Sequence, residues 1–256
     1  MRCSLSYIIA KPFFHPICDS HGECDMVLVT SRQFHSGSGL DVHVRTTIDA
    51  FYSYVEAAAI RVGQNVLEFA SSEKMYFNGK EHSAQEPLEF SNGKHNCKYS
   101  LVEKEGQKSV FRLDLDTSWI FIKFWDKFMA VDIRGHGYKA LADSVGLMGN
   151  YTDGSMWSRK GERFTSSFEA YGFEWQVNPR LGDPQLFVNH DRAPQLPRDQ
   201  CRLPSVARPS RRHLRADTKL YQAAKSACEQ VATKHDVELC INDIMATGQL
   251  GLAEVW

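Results

Sequence analysis

The chain has 256 residues, of which 43% are hydrophobic and 24% charged, ordinary proportions for a globular protein with one large core. Its formal net charge of −1 provides no overall attraction to nucleic acid or to an anionic membrane surface. No apolar run approaches the roughly 20 residues that a membrane-spanning helix needs. The sequence therefore predicts neither a nucleic-acid partner nor a membrane span.

Residues 1–17 have some features of a leader segment. Arg2 supplies one early cation and a short apolar stretch follows, but Ser4 and Ser6 interrupt it, so this is a poor signal peptide. We expect either a weak secretion signal or a chain whose natural N-terminus lies further upstream.

Residues 24–135 consist of short apolar or alternating segments separated by turn residues. Leu40, Val42, Val44 and Ile48 alternate with polar residues, which predicts one buried face of a β-strand. Turns are expected, in chain order, at Asn78-Gly79, Asn92-Gly93, Glu105-Gly106 and Asp126-Lys127. Strands this short, with turns this frequent, indicate an antiparallel sandwich or barrel. We expect a mainly β fold, an antiparallel β-sandwich of many short strands.

The last part of the chain differs in composition and period. Residues 202–214 are rich in Arg and Pro and are expected to form a linker. Residues 215–256 change to helical spacing and predict a two-helix tail with one cysteine in each helix. We expect a Cys228–Cys240 disulfide to close this tail, and the alternative is two free buried thiols.

Seven cysteines leave at least one thiol without an intramolecular partner. The number suits an oxidised domain with a few bridges, and it also suits a reduced cytosolic protein. The pairing of Cys3, Cys18 and Cys97 stays open, and one of them could cross-link two chains.

Several motifs occur in a fixed order along the chain. They are His21-Gly-Glu-Cys24-Asp-Met-Val-Leu28, Val145-Gly-Leu-Met-Gly-Asn-Tyr151, Tyr171-Gly-Phe-Glu-Trp-Gln-Val177 and Pro197-Arg-Asp-Gln-Cys201. In this order, with short strands between the first two, they resemble the von Willebrand factor type D (VWD) domain. The resemblance covers residues 18–201, and the cysteine-bearing tail is loosely similar to the helical piece that follows such domains.

The resemblance implies a non-catalytic extracellular module that acts in adhesion, matrix or mucus-like assembly. Its partners would be other extracellular proteins or copies of itself. It also implies a Cys24–Cys201 disulfide. Two departures stand out: the family's opening Gly-Asp-Pro-His segment is missing, and Met148 stands where the family has a cysteine. Because both halves of one family bridge are absent together, Met148 is expected to fill an apolar site.

The resemblance further implies calcium at Asn150 and Asp153. The following segment, residues 155–160, supplies no carboxylate, whereas calcium takes about 6–8 oxygen ligands. The alternative is that both side chains only hydrogen-bond the turn. Asn150 also opens the glycosylation sequon Asn150-Tyr151-Thr152, whose use requires an exposed Asn150 side chain.

Other functions leave weaker traces in the sequence. Residues 142–146 differ by one residue from the Gly-x-Ser-x-Gly elbow of serine hydrolases, with Ser144 as nucleophile and His190-Asp191 downstream. Cys18, His21 and Cys24 are spaced like part of a zinc site. A further alternative is a reduced intracellular β-protein that keeps only the fold. An Arg-rich segment at 208–212 matches a minimal processing pattern, although a solvated linker explains it as well.

Overall fold

The computed structural model describes residues 22–49, 52–70, 73–116, 118–135, 141–166, 168–189, 202–205, 217–231 and 234–256. Within them the strands are β1 (Asp25–Ser31), β2 (Leu40–Asp49), β3 (Tyr52–Val62), β4 (Asn65–Ala70), β5 (Met75–Phe77), β6 (Lys80–His82), β7 (Leu88–Asn92), β8 (His95–Glu105), β9 (Lys108–Asp114), β10 (Ser118–Trp125) and β11 (Phe128–Gly135). The predicted leader, residues 1–17, lies outside the described part of the chain.

The strands described form one antiparallel sheet in the order β6-β5-β4-β3-β11-β10-β9-β8-β7, and β2 and β1 extend from β3. Strand β3 is the branch point, because it pairs with β2, with β4 and, through Val55 and Met129, with β11. This branching lets the sheet curl, so that its two halves face each other. The predicted mainly β, antiparallel fold of many short strands is confirmed.

The hairpin turns follow the predicted turn chemistry. Asn78 and Gly79 join β5 to β6 with φ of 51° and 79°, the left-handed angles that a two-residue hairpin turn requires. Asp126 has φ of 53° in the turn between β10 and β11. These local signals fix the strand register because a hairpin of given loop length admits only one pairing.

The main core lies between the two halves of the curled sheet. Leu40, Val42 and Val44 of β2 belong to it, as predicted, and each is at most 1% exposed. Phe111 and Ile122 face them from the other half of the sheet and are fully buried. Burial of this apolar surface is the dominant stabilising contribution to a fold of this kind.

Ile48 is only half-buried, although the alternation placed it on the same face. Between Arg45 and Thr46 the pairing of β2 with β3 shifts by one residue, and the extra residue, Glu56, lies on β3. Ile48 follows this shift near the end of β2, and the alternation of β2 alone cannot reveal an extra residue on its partner strand.

Within the described ranges, four short helical segments and two longer helices accompany the sheet. In chain order they are a one-turn segment at Phe34–Gly37 that contains left-handed residues, α1 (Phe168–Glu174), a 3₁₀ turn at Pro179–Leu181, α2 (Thr218–Ala227), α3 (Lys234–Thr247) and a 3₁₀ segment at Leu250–Val255. No helix in the described ranges has the length and apolar character needed to cross a bilayer.

The predicted two-helix tail packs on the outer face of the sheet. Ala224 of α2 and Ile244 of α3 form an apolar cluster with Tyr54, Phe128 and Ala130 of β3 and β11. The Sγ atoms of the two tail cysteines, Cys228 and Cys240, are bonded at 1.96 Å, so the structure contains the predicted bridge. The tail is therefore a docked element that shares a core with the sheet.

The backbone at Gly251, near the end of the tail, packs directly against Trp125 of β10. A Cβ atom at Gly251 would lie 1.9 Å from Cζ2 of Trp125, so Gly251→Ala is expected to lower the free energy of unfolding by about 1–3 kcal/mol through overpacking. Hydrogen exchange of residues 250–256 should accelerate. Gly248→Ala is the matched control, because nothing lies within 4 Å of its Cβ position and only its positive φ is strained. Unchanged exchange of 250–256 in Gly251→Ala would contradict this packing.

Candidate functional site

The segment from Val145 to Ser155, here called the Gly-Asn loop, lies against the outer edge of β1. Thr30 and Val145 exchange two backbone hydrogen bonds of 2.8 and 2.9 Å. Further along, Leu147 N donates to Val27 O at 3.0 Å. The loop thus continues the sheet as a short irregular pairing, and its position is fixed by main-chain contacts.

Both glycines of the loop are required by close backbone approach. Gly146 has φ of 132°, and a Cβ atom there would lie 2.6 Å from Leu28 O. Gly149 has φ of 77°, and its Cβ would lie 2.9 Å from Ser155 O. Only glycine combines these angles with the absence of a side chain. The predicted tight turn is therefore present, and its glycines serve packing against β1 as well as turn geometry.

The side chain of Asn150 holds the loop together from inside. Its Nδ2 donates to Ala142 O at 2.8 Å and to Ser144 O at 3.0 Å, and its Oδ1 accepts from Thr152 N at 2.9 Å. One asparagine thus joins both ends of the turn.

Asp153 makes a smaller turn of its own. Its Oδ1 accepts hydrogen bonds from the backbone N and the hydroxyl of Ser155. These bonds favour the ionised carboxylate and lower the pKa of Asp153. The contacts are those of a self-contained Asx turn.

These contacts fit a turn better than a calcium site. The side-chain oxygens expected as ligands, those of Asn150 and Asp153, accept hydrogen bonds within the loop. Two residues also supply far fewer oxygen ligands than the roughly 6–8 that calcium takes. In the part of the chain that is described, no three His, Cys, Asp or Glu side chains are grouped to hold a metal. Calcium at this loop, and a glycan on the doubly engaged Asn150 Nδ2, stay predictions.

Substitution of Asn150 distinguishes a role in holding the turn from a role in binding calcium. Asn150→Ala removes three hydrogen bonds and is expected to cost about 2–4 kcal/mol of the free energy of unfolding. Asn150→Asp should cost at least as much, because it places a carboxylate against two carbonyl oxygens. Thermal unfolding with calcium and with a chelator is the measurement, and Asn96→Ala on β8 is the control. If calcium made Asn150→Asp more stable than the parent, the cation role would replace the turn role.

Met148 occupies a partly buried position against the main core. Its backbone N donates to Leu28 O at 3.1 Å, so the side chain is held at the edge of β1. A flexible thioether suits such an irregular apolar site. The expectation that Met148 fills an apolar position agrees with this packing.

Ser144 is placed as a structural residue of the Gly-Asn loop region. It is 1% exposed, and its Oγ accepts a hydrogen bond from Tyr151 N at 2.8 Å. A hydrolase elbow instead presents its serine on a sharp turn between a parallel strand and a helix. The proposed partners, His190 and Asp191, lie outside the described residues.

Cys24 is part of a disulfide. The predicted partner, Cys201, lies outside the described residues, so the Cys24–Cys201 pairing stays a prediction. The neighbouring residues approach each other: Glu23 N donates to Arg202 O at 2.8 Å, and their side chains form an ion pair. Of the possible zinc ligands, Cys18 and His21 also lie outside the described residues, and Cys24 is already bonded.

Cys97 is a free thiol, but it is poorly suited to cross-linking. It lies on β8 within the main core and is 1% exposed. Burial, with a smaller contribution from the charge of Asp116, raises the pKa of the thiol to about 11. Because the thiolate is the reactive form, this cysteine is inert in the folded protein. Cys3 and Cys18, the other candidates for a cross-link, lie outside the described residues.

A buried polar cluster on the outer face of β2 is not predicted by the sequence pattern. Arg45 is fully buried, and its guanidinium donates to both carboxylate oxygens of Asp25 at 2.6 and 2.8 Å. The ring of Phe187 lies 4.5 Å from the guanidinium carbon. The signal was present as three polar residues, Asp41, His43 and Arg45, alternating with the apolar face. Such a pattern ordinarily indicates a solvated surface, and only the distant Phe187 makes it a buried one.

Comparison of the chain with models of known protein families finds no match, and comparison with curated proteins finds none either. The resemblance to VWD domains therefore depends on the four motifs, their order and their spacing.

Proposed function

We propose that this protein is a non-catalytic interaction or structural module of VWD type that works outside the cell or in the secretory pathway. The observation that carries the proposal is its disulfide chemistry. Cys228 and Cys240 close the tail, and Cys24 is also bonded. Bridges of this kind form and persist in oxidising compartments and are rare in the cytosol.

The Gly-Asn loop supports a scaffolding role. Its polar groups hydrogen-bond the adjacent Ser144: Asn150 Nδ2 donates to Ser144 O, and Tyr151 N donates to Ser144 Oγ. A catalytic nucleophile needs an activating base and access to substrate, whereas these contacts rigidify a turn against β1. The function would then reside in the surfaces that the scaffold presents, and its partners would be other extracellular proteins or further copies of this chain.

Proximity labelling in cells tests the proposed compartment and partners together. A peroxidase is fused through a flexible linker after Trp256, and the chain is expressed from its own transcript. The proposal expects biotin on secretory and extracellular proteins. The matched control is the same peroxidase carrying only a secretion signal, which corrects for bystanders. Labelling confined to cytosolic proteins would overturn the proposal and favour the reduced intracellular alternative.

A further inference from the structure

The segment Asp183–Asn189, here called the strap, covers the outer face of the β2–β4 half of the sheet. Leu186 and Phe187 are buried against Ala57 and Ala59 of β3, whose side chains are small. The small residues create the space into which the two large ones fit. The strap therefore converts a surface of the sheet into a second, minor core.

Polar contacts fasten both ends of the strap. Asp183 forms an ion pair with Arg159 at 2.8 Å. At the other end, the carboxylate of Glu68 is 2% exposed and accepts hydrogen bonds from Val188 N at 3.2 Å and from Asn189 N at 3.1 Å. Side-chain contacts of this kind can be made and broken without disturbing the ladder of the sheet.

His43 is buried beneath the strap. It is 1% exposed and lies on β2 between Asp41 and Arg45, opposite Ala59 of β3. Both ring nitrogens, Nδ1 and Nε2, lack a hydrogen-bond partner within the described part of the chain. A buried polar group without a partner is costly, and such a group requires an explanation.

The charges around His43 nearly balance. The ionisable groups that face it are the carboxylates of Asp25, Asp41 and Asp183 and the guanidinium of Arg61, while Arg45 beside it is paired with Asp25. Burial dominates over the three carboxylates and lowers the pKa of His43 to about 4. The closed strap thus holds a neutral imidazole, and a protonated one could not be solvated there.

We propose that the strap is an acid-released cover, in which protonation of His43 favours the state where Asp183–Asn189 has left the sheet. Opening gives the ring access to water, and in water histidine takes up a proton near pH 6.5. The open state therefore binds more protons than the closed state, so opening becomes more favourable as the pH falls below this value. Between neutral pH and pH 5 the open population should rise by about 30-fold.

Opening would expose a new apolar surface. Leu186 and Phe187 on the strap and Ala57 and Ala59 on the sheet would become accessible together. Mildly acidic compartments lie along the secretory and endocytic routes. An apolar surface that acid exposes there would be a function beyond the scaffolding role proposed above. The release itself does not depend on that role and is testable on the isolated chain.

Hydrogen exchange measured by mass spectrometry at pH 7.5 and pH 5.0 tests the proposal, with rates corrected for the intrinsic effect of pH. Opening of the peptide that covers 183–189 should rise about 30-fold at pH 5.0, while β11 stays protected. His43→Gln should abolish this rise, and His82→Gln on β6 should leave it intact. A strap whose exchange is independent of pH, or an acid response that is the same in His43→Gln, would overturn the proposal.

A second measurement does not require His43 to be replaced. The titration of the His43 ring can be followed by NMR in the parent protein and in Phe187→Ala, which weakens the strap. We expect the pKa of His43 to move from about 4 toward the value of a solvated histidine in Phe187→Ala. An unchanged titration would mean that the strap does not shield His43 from water. Acid exchange that rises equally in β11 and in the strap would mean that the whole domain opens. Either result would contradict a local cover.

Discussion

Arg45→Met is expected to lower the free energy of unfolding by about 3–5 kcal/mol. The substitution keeps an unbranched side chain under the ring of Phe187 but leaves the carboxylate of Asp25, which is 3% exposed, without its bidentate partner. A buried charge that loses its counter-ion costs far more than the intact pair contributes, because its desolvation is no longer compensated. Urea unfolding monitored by circular dichroism provides the measurement, and an unchanged slope would indicate a pure change in stability.

Two further variants make this result specific. Lys98→Met breaks a surface ion pair with Glu89, whose side chains are 52% and 73% exposed, so we expect a loss of at most about 1 kcal/mol. Replacing both Asp25 and Arg45, by Leu and Met, should recover most of the stability that Arg45→Met loses. If the double variant were as unstable as the single one, the loss would come from packing against Phe187 and not from an unpaired charge.

Gly146→Ala is expected to cost roughly 3 kcal/mol or more and to displace the Gly-Asn loop from β1. Its φ of 132° is unfavourable for any residue with a side chain, and the new Cβ would lie 2.6 Å from Leu28 O and 3.0 Å from Val29 Cα. Neither backbone atom can move without disturbing β1. The midpoint temperature of thermal unfolding should therefore fall strongly, and the amides of residues 145–148 should lose protection in hydrogen exchange.

Gly161→Ala is the matched control for this effect. Gly161 also has a positive φ, of 77°, but nothing lies within 4 Å of its Cβ position. It should show only the conformational cost of a left-handed alanine, about 1 kcal/mol. Equal losses in the two variants would mean that the backbone angle alone matters and that the loop is not seated against β1 as described.

The sequence predicts well what depends on neighbouring residues. Asn78-Gly79 determines a hairpin by its own conformational preference, and the alternation from Leu40 to Val44 determines the buried face of β2. Ile48 is less buried than the alternation predicts, and the register shift beside it arises from an extra residue on the partner strand β3. Helix α1, Phe168–Glu174, is too short for helical periodicity to separate it from a strand.

In the candidate site, too, the sequence predicts the features that neighbouring residues determine and not those that depend on distant segments. A tight turn at Gly146 and Gly149 followed from local chemistry, and so did the alternative that Asn150 hydrogen-bonds the turn. The contact of that turn with β1 did not follow, because it joins segments far apart in the chain. The burial of His43 and Arg45 depends on a strap contributed by a still more distant segment, so alternation alone suggested an exposed face.

Thiol counting under non-reducing conditions tests whether this protein is a disulfide-stabilised module of an oxidising compartment. The protein is purified from the compartment in which it naturally resides, with free thiols blocked at lysis, and is assayed folded and then unfolded. Cys24, Cys228 and Cys240 are bonded and Cys97 is a buried free thiol. With Cys3, Cys18 and Cys201 also in bridges, as the proposal requires, we predict no reactive thiol in the folded protein and about one, that of Cys97, after unfolding. Seven free thiols after unfolding would contradict the account and identify a reduced protein that keeps only the fold.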